Sequence, residues 1–339
     1  MRSAAERAME YQFKLRTHGV WGFGEDVCLR ALLEYGRLTD DPRPQRFVAD
    51  LVRPWCLATT RPVHADHVAP GVVILELYES TGDEAYLAAA LRLGDLSWSF
   101  AEVDGVAVHR PDLPGLSSLI WVDCMALDGP FLARLATVTG DGVWRDLAVR
   151  SIKAYTSVLL DRGAHLFRHG YDVREQRASP CNWGRGNGWA MHGLVDTSAE
   201  LPVDHPARAE LITLLTTQMR AVARLQTPTG LWHTILDDPE APLENSTAAF
   251  FASAVLKARR LGLVEGADLD DLVHRAVAAL CAATAPDGGL SISYATPVGD
   301  RETYHTAPTG VFPWGQGPLM LAVIETLSGA ELRAGGVAA

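Results

Sequence analysis

"FLARLATVTGDGVWRDLAVRSI", residues 131–152, holds two apolar segments joined at Thr139-Gly140-Asp141. The arrangement occurs twice more. "ILELYESTGDEAYLAAALRLG" (74–94) turns at Thr81-Gly82-Asp83, and "LLEYGRLTDDPRPQRFVADLV" (32–52) turns at Thr39-Asp40-Asp41. The physics of the turn is local. A Gly or Asp tolerates the left-handed conformation that ends a helix, and an Asp or Thr caps the next one. Each copy therefore spells a helical hairpin, and self-similar units along a chain mark a repeat architecture. Two looser copies follow, with turns over 200–205 and 261–268.

Working outward from these hairpins, apolar spacings of three and four predict about twelve helices. They cover 2–17, 24–38, 42–57, 68–80, 83–98, 118–138, 142–161, 186–199, 206–225, 245–262, 268–284 and 316–328. Strand signals are short, as at Val106–Val108 and Leu290–Tyr294. Helices in six pairs point to an all-α fold closed into a ring, an (α/α)6 six-hairpin barrel. An open solenoid is the alternative, but solenoids usually keep a tighter period. No linker splits the chain, so 1–339 reads as a single α/α-barrel domain with peripheral ends. The longest gaps between hairpin turns contain the Trp- and His-rich stretches, as expected if loops at one rim carry function.

Composition narrows the function classes. The chain has 339 residues, 48% hydrophobic, enough for a large core. Its net charge of −11 argues against nucleic-acid partners, which need a basic footprint. No polybasic segment or long apolar run invites a membrane. The five Cys (28, 56, 124, 181 and 281) are odd in number and lack CxxC spacing. That pattern fits reduced, mostly buried thiols in a cytoplasmic protein. The N-terminal stretch lacks the apolar segment of a secretion signal.

Several stretches could carry chemistry. Nine Trp equal the nine Phe, and Trp21, Trp121, Trp183, Trp189, Trp232 and Trp314 fall at helix starts or in polar loops. Trp with an apolar face and a wet edge suits sugar stacking, and equally suits rim or core packing. In "RPVHADHVAPG" (61–71), Asp66 is either an N-cap or a carboxylate placed at the rim. A metal held by His64, Asp66 and His67 is disfavoured, because these side chains splay apart at a helix start. Asp123 stands in the apolar run "SLIWVDCMALDGPFLARL" (118–135). A carboxylate there is costly unless paired or protonated, and burial raises its pKa as a general acid requires. The alternative is an Asp on a polar helix face. "WGRGNGW" (183–189) sets three Gly around Arg185 and Asn187. Close backbone approach and a planar fork for a carboxylate are one reading; a solvated turn is the other. No Lys-Ser/Thr follows these glycines and no Ser stands at a nucleophile elbow.

Taken together, these motifs resemble the unsaturated uronyl hydrolases of glycoside hydrolase families 105 and 88, most closely the unsaturated rhamnogalacturonyl hydrolases. The resemblance runs from about Trp21 to Glu325. It rests on Trp183–Trp189, Trp121-x-Asp123, the Asp66 turn, His169-Gly-Tyr-Asp172, Gly230-Leu-Trp-His233 and Gly315-Gln-Gly317. It implies the same barrel, a lyase-generated unsaturated oligosaccharide as substrate, and no metal or organic cofactor. An acid protonates C4 of the 4,5-unsaturated uronic acid, water adds at C5, and the resulting hemiketal opens to release the aglycone. By the same resemblance Asp123 is the acid and Asp66 the second carboxylate. His169 and Arg185 bind the sugar, Trp121 and Trp183 wall it, and His109-Arg110 hold its carboxylate. Trp21 is a further candidate wall. The competing readings are another α/α-barrel carbohydrate enzyme (a saturated glycosidase, an epimerase or a lyase) and a non-catalytic uronide-binding member.

Overall fold

The computed structural model describes residues 2–15, 22–58, 66–100, 102–103, 105–110, 113 and 115–335. Along them run α1 (Arg2–Lys14), α2 (Phe23–Thr39), α3 (Pro42–Leu57), α4 (Gly71–Thr81), α5 (Glu84–Ser97), α6 (Met125–Thr139) and α7 (Gly142–Leu159). Then follow α8 (Gly184–Glu200), α9 (Pro206–Ala223), α10 (Asn245–Arg260), α11 (Asp270–Ala283), the short α12 (Arg301–His305) and α13 (Pro313–Gly335). Helices α2, α4, α6, α8, α10 and α13 touch in that order, and α13 returns to α2. Each is backed by an outer helix: α3, α5, α7, α9, α11 and, behind α13, α1. This is the (α/α)6 barrel, with its last hairpin made from two distant parts of the chain.

Burial follows the position in the ring. Outer α7 is amphipathic and buries Trp144, Leu147, Ala148, Ile152, Tyr155 and Leu159, one stripe at spacings of three and four. Inner α8 is surrounded, and every residue from Gly184 to Ser198 is buried. The glycines of "GRGNG" serve that crowding. A Cβ on Gly188 would lie 2.4 Å from the Phe250 Cβ on α10, so only hydrogen fits there.

The repeated turn assigns a task to each residue. Thr81 and Thr139 hydroxyls donate to the carbonyls of Leu77 and Leu135, four residues back. Asp40, Gly82 and Gly140 take the left-handed conformation. Asp41, Asp83 and Asp141 accept the backbone N–H groups of Arg43, Ala85 and Val143, capping the second helix of each hairpin. Removing one such cap, as in Asp141→Ala, is expected to cost about 1 kcal/mol. The shift in urea midpoint at constant slope measures it.

Two expected boundaries move. The predicted helix 118–138 begins only at Met125. Leu119–Trp121 is a strand and Val122–Cys124 a single 3-10 turn. Ile120 is buried between two half-exposed neighbours, the alternation of a strand, and Gly170–Asp172 pairs with it. Asp123 therefore sits on a tight turn and not within a helix. Conversely, α8 starts at Gly184, two residues before the predicted 186, so all three glycines lie inside the helix and the solvated-turn alternative does not hold. The short alternating runs become strands at Val106–Ala107 and Ser291–Ser293. No helix among the described residues is long and apolar enough to cross a membrane.

The inner helices point the same way. Their C-terminal halves surround a cavity of about 480 Å³ at one mouth, lined by ion-paired Arg30, Asp196, Lys257, Arg260 and Glu325. Their N-terminal ends and the long loops meet at the other mouth.

Candidate active site

The site grows from the strand that sequence periodicity reads as helix. Leu119–Trp121 runs antiparallel to Gly170–Asp172, pairing Trp121 with Gly170. The Val122 N–H then donates to the His169 carbonyl at 3.0 Å. This ladder brings W-x-D and H-G-Y-D, 46 residues apart in sequence (169 − 123), into one wall. Asp123 Oδ2 lies 3.6 Å from His169 Nε2, and both side chains are buried.

Burial pushes the Asp123 carboxyl up to about 7, against the pull of the Arg185 cation. The Asp66 carboxylate adds to the rise. His169 moves the opposite way. Burial first, and the Arg185 charge second, hold it well below the usual imidazole value, so its ring is neutral. Its Nδ1 is 2.8 Å from the Tyr304 hydroxyl. With the Tyr304 hydroxyl donating to Nδ1, the neutral ring carries its proton on Nε2, the nitrogen 3.6 Å from Asp123 Oδ2.

Arg185 is clamped. Its Nη1 donates to Ser246 Oγ (3.1 Å), Ser293 O (3.1 Å) and Ser293 Oγ (2.9 Å), and Nη2 donates to Tyr294 O (2.7 Å). Glu244 Oε1 lies 3.5 Å away, and the guanidinium stacks 4.5 Å over Trp183. Trp183 in turn packs 4.1 Å from the His169 ring.

On the other side, His109 stacks on Trp121 at 4.4 Å and 7°. Its Nε2 is 3.6 Å from Asp66 Oδ1. Asp66 does not cap the helix it precedes, since Pro70 occupies that position. Its Oδ2 instead accepts the Phe23 N–H at 3.2 Å, at the start of the neighbouring inner helix α2. That bond fixes Asp66 at the rim, where its charge faces Asp123.

The structure thus brings together Asp66, His109, Trp121, Asp123, His169, Trp183 and Arg185, with Arg110 buried next to His109. Trp121 Nε1, Asp123 Oδ2, His169 Nε2, Trp183 Nε1 and Arg185 Nε are buried without a hydrogen-bond partner in the protein. Such atoms are rare in a native fold. Five on touching residues form a polar lining ready for a hydroxyl-rich ligand. Trp189 and Trp232 are core instead: Trp189 packs on Phe250, and Trp232 Nε1 donates to Val222 O. Trp21 and His64 lie outside the described residues. Tyr304, Glu244, Ser246 and Ser293 are support residues that sequence reasoning missed. Of these, only Glu244-Asn-Ser-Thr247, directly before α10, carries a local signal, the composition of a helix cap. Glu244 does cap Thr247, and with its other oxygen it accepts Ser293 N–H.

The model of Glycosyl Hydrolase Family 88 matches residues 2–329. An unsaturated rhamnogalacturonyl hydrolase of Bacillus subtilis (strain 168), YesR, is 29% identical over 274 residues, 78% of each protein. An unsaturated 3S-rhamnoglycuronyl hydrolase of Alteromonas sp. (strain LOR) is 26% identical over 277 residues, 75% of this chain and 65% of that one. In fold, a possible family 105 member from Salmonella enterica superposes with a TM-score of 0.87 at 24% identity, over 97% of this chain and 94% of the other.

Proposed function

Since the chain belongs to Glycosyl Hydrolase Family 88, a family of unsaturated uronyl hydrolases, we propose that its own substrate is an unsaturated rhamnogalacturonan or pectin fragment. It removes the 4,5-unsaturated uronic acid from the non-reducing end by hydrating the double bond. The observation that carries this reading is the buried Asp123 carboxyl, raised to about 7 and set among atoms that lack partners.

In this reading Asp123 is protonated near neutral pH and delivers its proton to C4 of the enol ether. Positive charge then develops at C5 and the ring oxygen. The resulting Asp123 carboxylate steers water to C5, and Asp66 supplies a second negative charge. The two carboxyls titrate as a pair. His169, neutral and with Nε2–H inward, donates to a substrate oxygen or to the Asp123 carboxylate as it forms. Arg185 and the His109-Arg110 pair meet the uronate carboxylate, and Trp121 and Trp183 bracket the ring. The product hemiketal opens without attack at the anomeric carbon, so carboxylate separation does not dictate stereochemistry here. Four buried thiols and an exposed Cys281, all free, suit a reducing compartment, which supports the cytoplasmic reading.

The test follows the ultraviolet absorbance of the conjugated enoate in lyase-digested rhamnogalacturonan, pectin and glycosaminoglycan. Loss of absorbance is expected fastest with the first digest. A preference for glycosaminoglycan fragments would overturn the substrate proposal, and cleavage of saturated glycosides alone would overturn the hydration.

A further inference from the structure

Asp123 and Arg185 share one buried site, yet no hydrogen bond joins them. Asp123 Oδ2 and Arg185 Nε are both without a hydrogen-bond partner in the protein. A carboxyl and a guanidinium so placed gain from closing into a salt bridge, which would hold the carboxyl ionised. The guanidinium is instead committed to other groups, and those converge on one carboxylate.

That carboxylate is Glu244. Ser246 Oγ accepts from Arg185 Nη1 at 3.1 Å and donates to Glu244 Oε2. Ser293 Oγ accepts from the same Nη1 at 2.9 Å and donates to Glu244 Oε1 at 3.4 Å. A hydroxyl has one proton and two lone pairs, so each serine can do both at once. Two hydroxyls thus bridge a cation and an anion whose nearest atoms are 3.5 Å apart. All four residues are buried, so the serines stand where water would otherwise be. The backbone fixes the anion in turn. Thr247 N–H donates to Oε2 and Ser293 N–H to Oε1, each at 3.0 Å. Both oxygens face N–H donors, so Glu244 is in its acceptor-only, ionised form. The start of α10 and the strand Ser291–Ser293 therefore share one anion, and that anion holds Arg185.

We propose that Glu244 is a positioning residue for the hydration: through Ser246 and Ser293 it anchors Arg185 and keeps the guanidinium from closing on Asp123. The proposal rests on the reading of Asp123 as the acid. Asp123 is faced by Arg185 from α8, by neutral His169 from the segment before Gly170–Asp172, and by Asp66 from the segment before α4. Of the two charges, Asp66 favours the protonated carboxyl and Arg185 the ionised one. Release of Arg185 from its anchor lets it pair with Asp123. The carboxyl then gives its proton to water, and no acid is left for C4.

The experiment follows the Asp123 carboxyl by its 13C resonance in aspartate-labelled protein without substrate, the signal being the one absent in Asp123→Asn. Glu244→Gln is expected to lower the pH at which this carboxyl titrates by about 1 unit or more, the effect of a cation brought into contact. The alkaline limb of the pH–rate profile should move down with it. Ser246→Ala and Ser293→Ala each remove one bridge, and are expected to shift it the same way by less. They carry the test should Glu244→Gln fail to fold. The double variant Arg185→Met/Glu244→Gln is expected to titrate no lower than the unmutated protein, because Arg185 is the agent. Asp141→Ala, which loses a helix cap at the opposite mouth, is expected to leave the titration in place. The proposal is overturned if the Glu244 and serine variants titrate as the unmutated protein does, or if the double variant falls as far as Glu244→Gln alone. It is also overturned if Asp141→Ala shifts as much, which would reduce Glu244 to a structural part. A shifted resonance with no digest turned over would sink the hydration reading and leave this one standing. Turnover with an unmoved resonance would do the reverse.

Discussion

Asp123→Asn is expected to cut the rate of double-bond loss by about 10²- to 10⁴-fold, the usual range for removing a general acid. It is expected at the same time to stabilise the protein above neutral pH. The carboxyl has an ordinary pKa of 3.8 when exposed and about 7 in the fold. Below about pH 4 both states are protonated and the group is neutral in its effect. Between these values the unfolded chain ionises first, which favours unfolding, and the penalty grows with pH. Above about 7 it is constant. At 1.36 kcal/mol per unit it reaches up to about 4 kcal/mol, an order-of-magnitude ceiling. Asn carries no charge at any pH and avoids the penalty. Melting curves of both proteins should coincide near pH 4 and separate by pH 8, the variant melting higher. Unchanged turnover would remove Asp123 from its role. A stability gap that failed to open with pH would mean the carboxyl is not held protonated.

Arg185→Met carries the largest expected loss of stability. The guanidinium satisfies Ser246, Ser293 and Tyr294 and lies 3.5 Å from Glu244, a carboxylate only 5% exposed. Deleting one partner of a buried ion pair leaves the other uncompensated, at about 3–5 kcal/mol. Turnover should change in a diagnostic way. Arg185 holds the Asp123 pKa down, so its removal raises that pKa further. Activity needs protonated Asp123, so the alkaline limb of whatever turnover survives moves to higher pH. Denaturant titration and a pH–rate profile read the two effects. A stability change under 1 kcal/mol, or a limb that stays in place, would contradict this account.

The barrel was legible because its signals are local. Thr139-Gly140-Asp141 contains within three residues everything that stops one helix and starts the next. Asp123 was legible for a similar reason: a charge in an apolar run is anomalous wherever it lies. Its backbone was not. The run 118–124 keeps helical spacing, and only the distant strand Gly170–Asp172 converts its first part to a strand. Tertiary pairing overrode local periodicity there. Asp66 shows the same limit. A sequence shows the helix a residue precedes, and this one caps a different helix, 43 positions away. Tyr304 and Ser293 left no mark for that reason. Each acts on a side chain more than 100 residues distant, His169 and Arg185, and neither stands in an unusual local setting.

The pairing of α1 with α13 has a consequence for how a ribosome must make this protein. Gln12 hydrogen-bonds to the Gln316 carbonyl, 304 positions away, and receives the Cys28 thiol on its other side-chain atom. Helix α1 thus finds its mate only after the other five hairpins have been made. Ala5, Ala8 and Met9, all buried in the finished ring, belong to a helix whose main helical partner is Pro313–Gly335. Five hairpins can stack as they are made, but the sixth waits for α13. The nascent chain spends most of its translation as an open arc with two sticky edges. Those edges are where a holding chaperone would act, and where a second arc could insert instead.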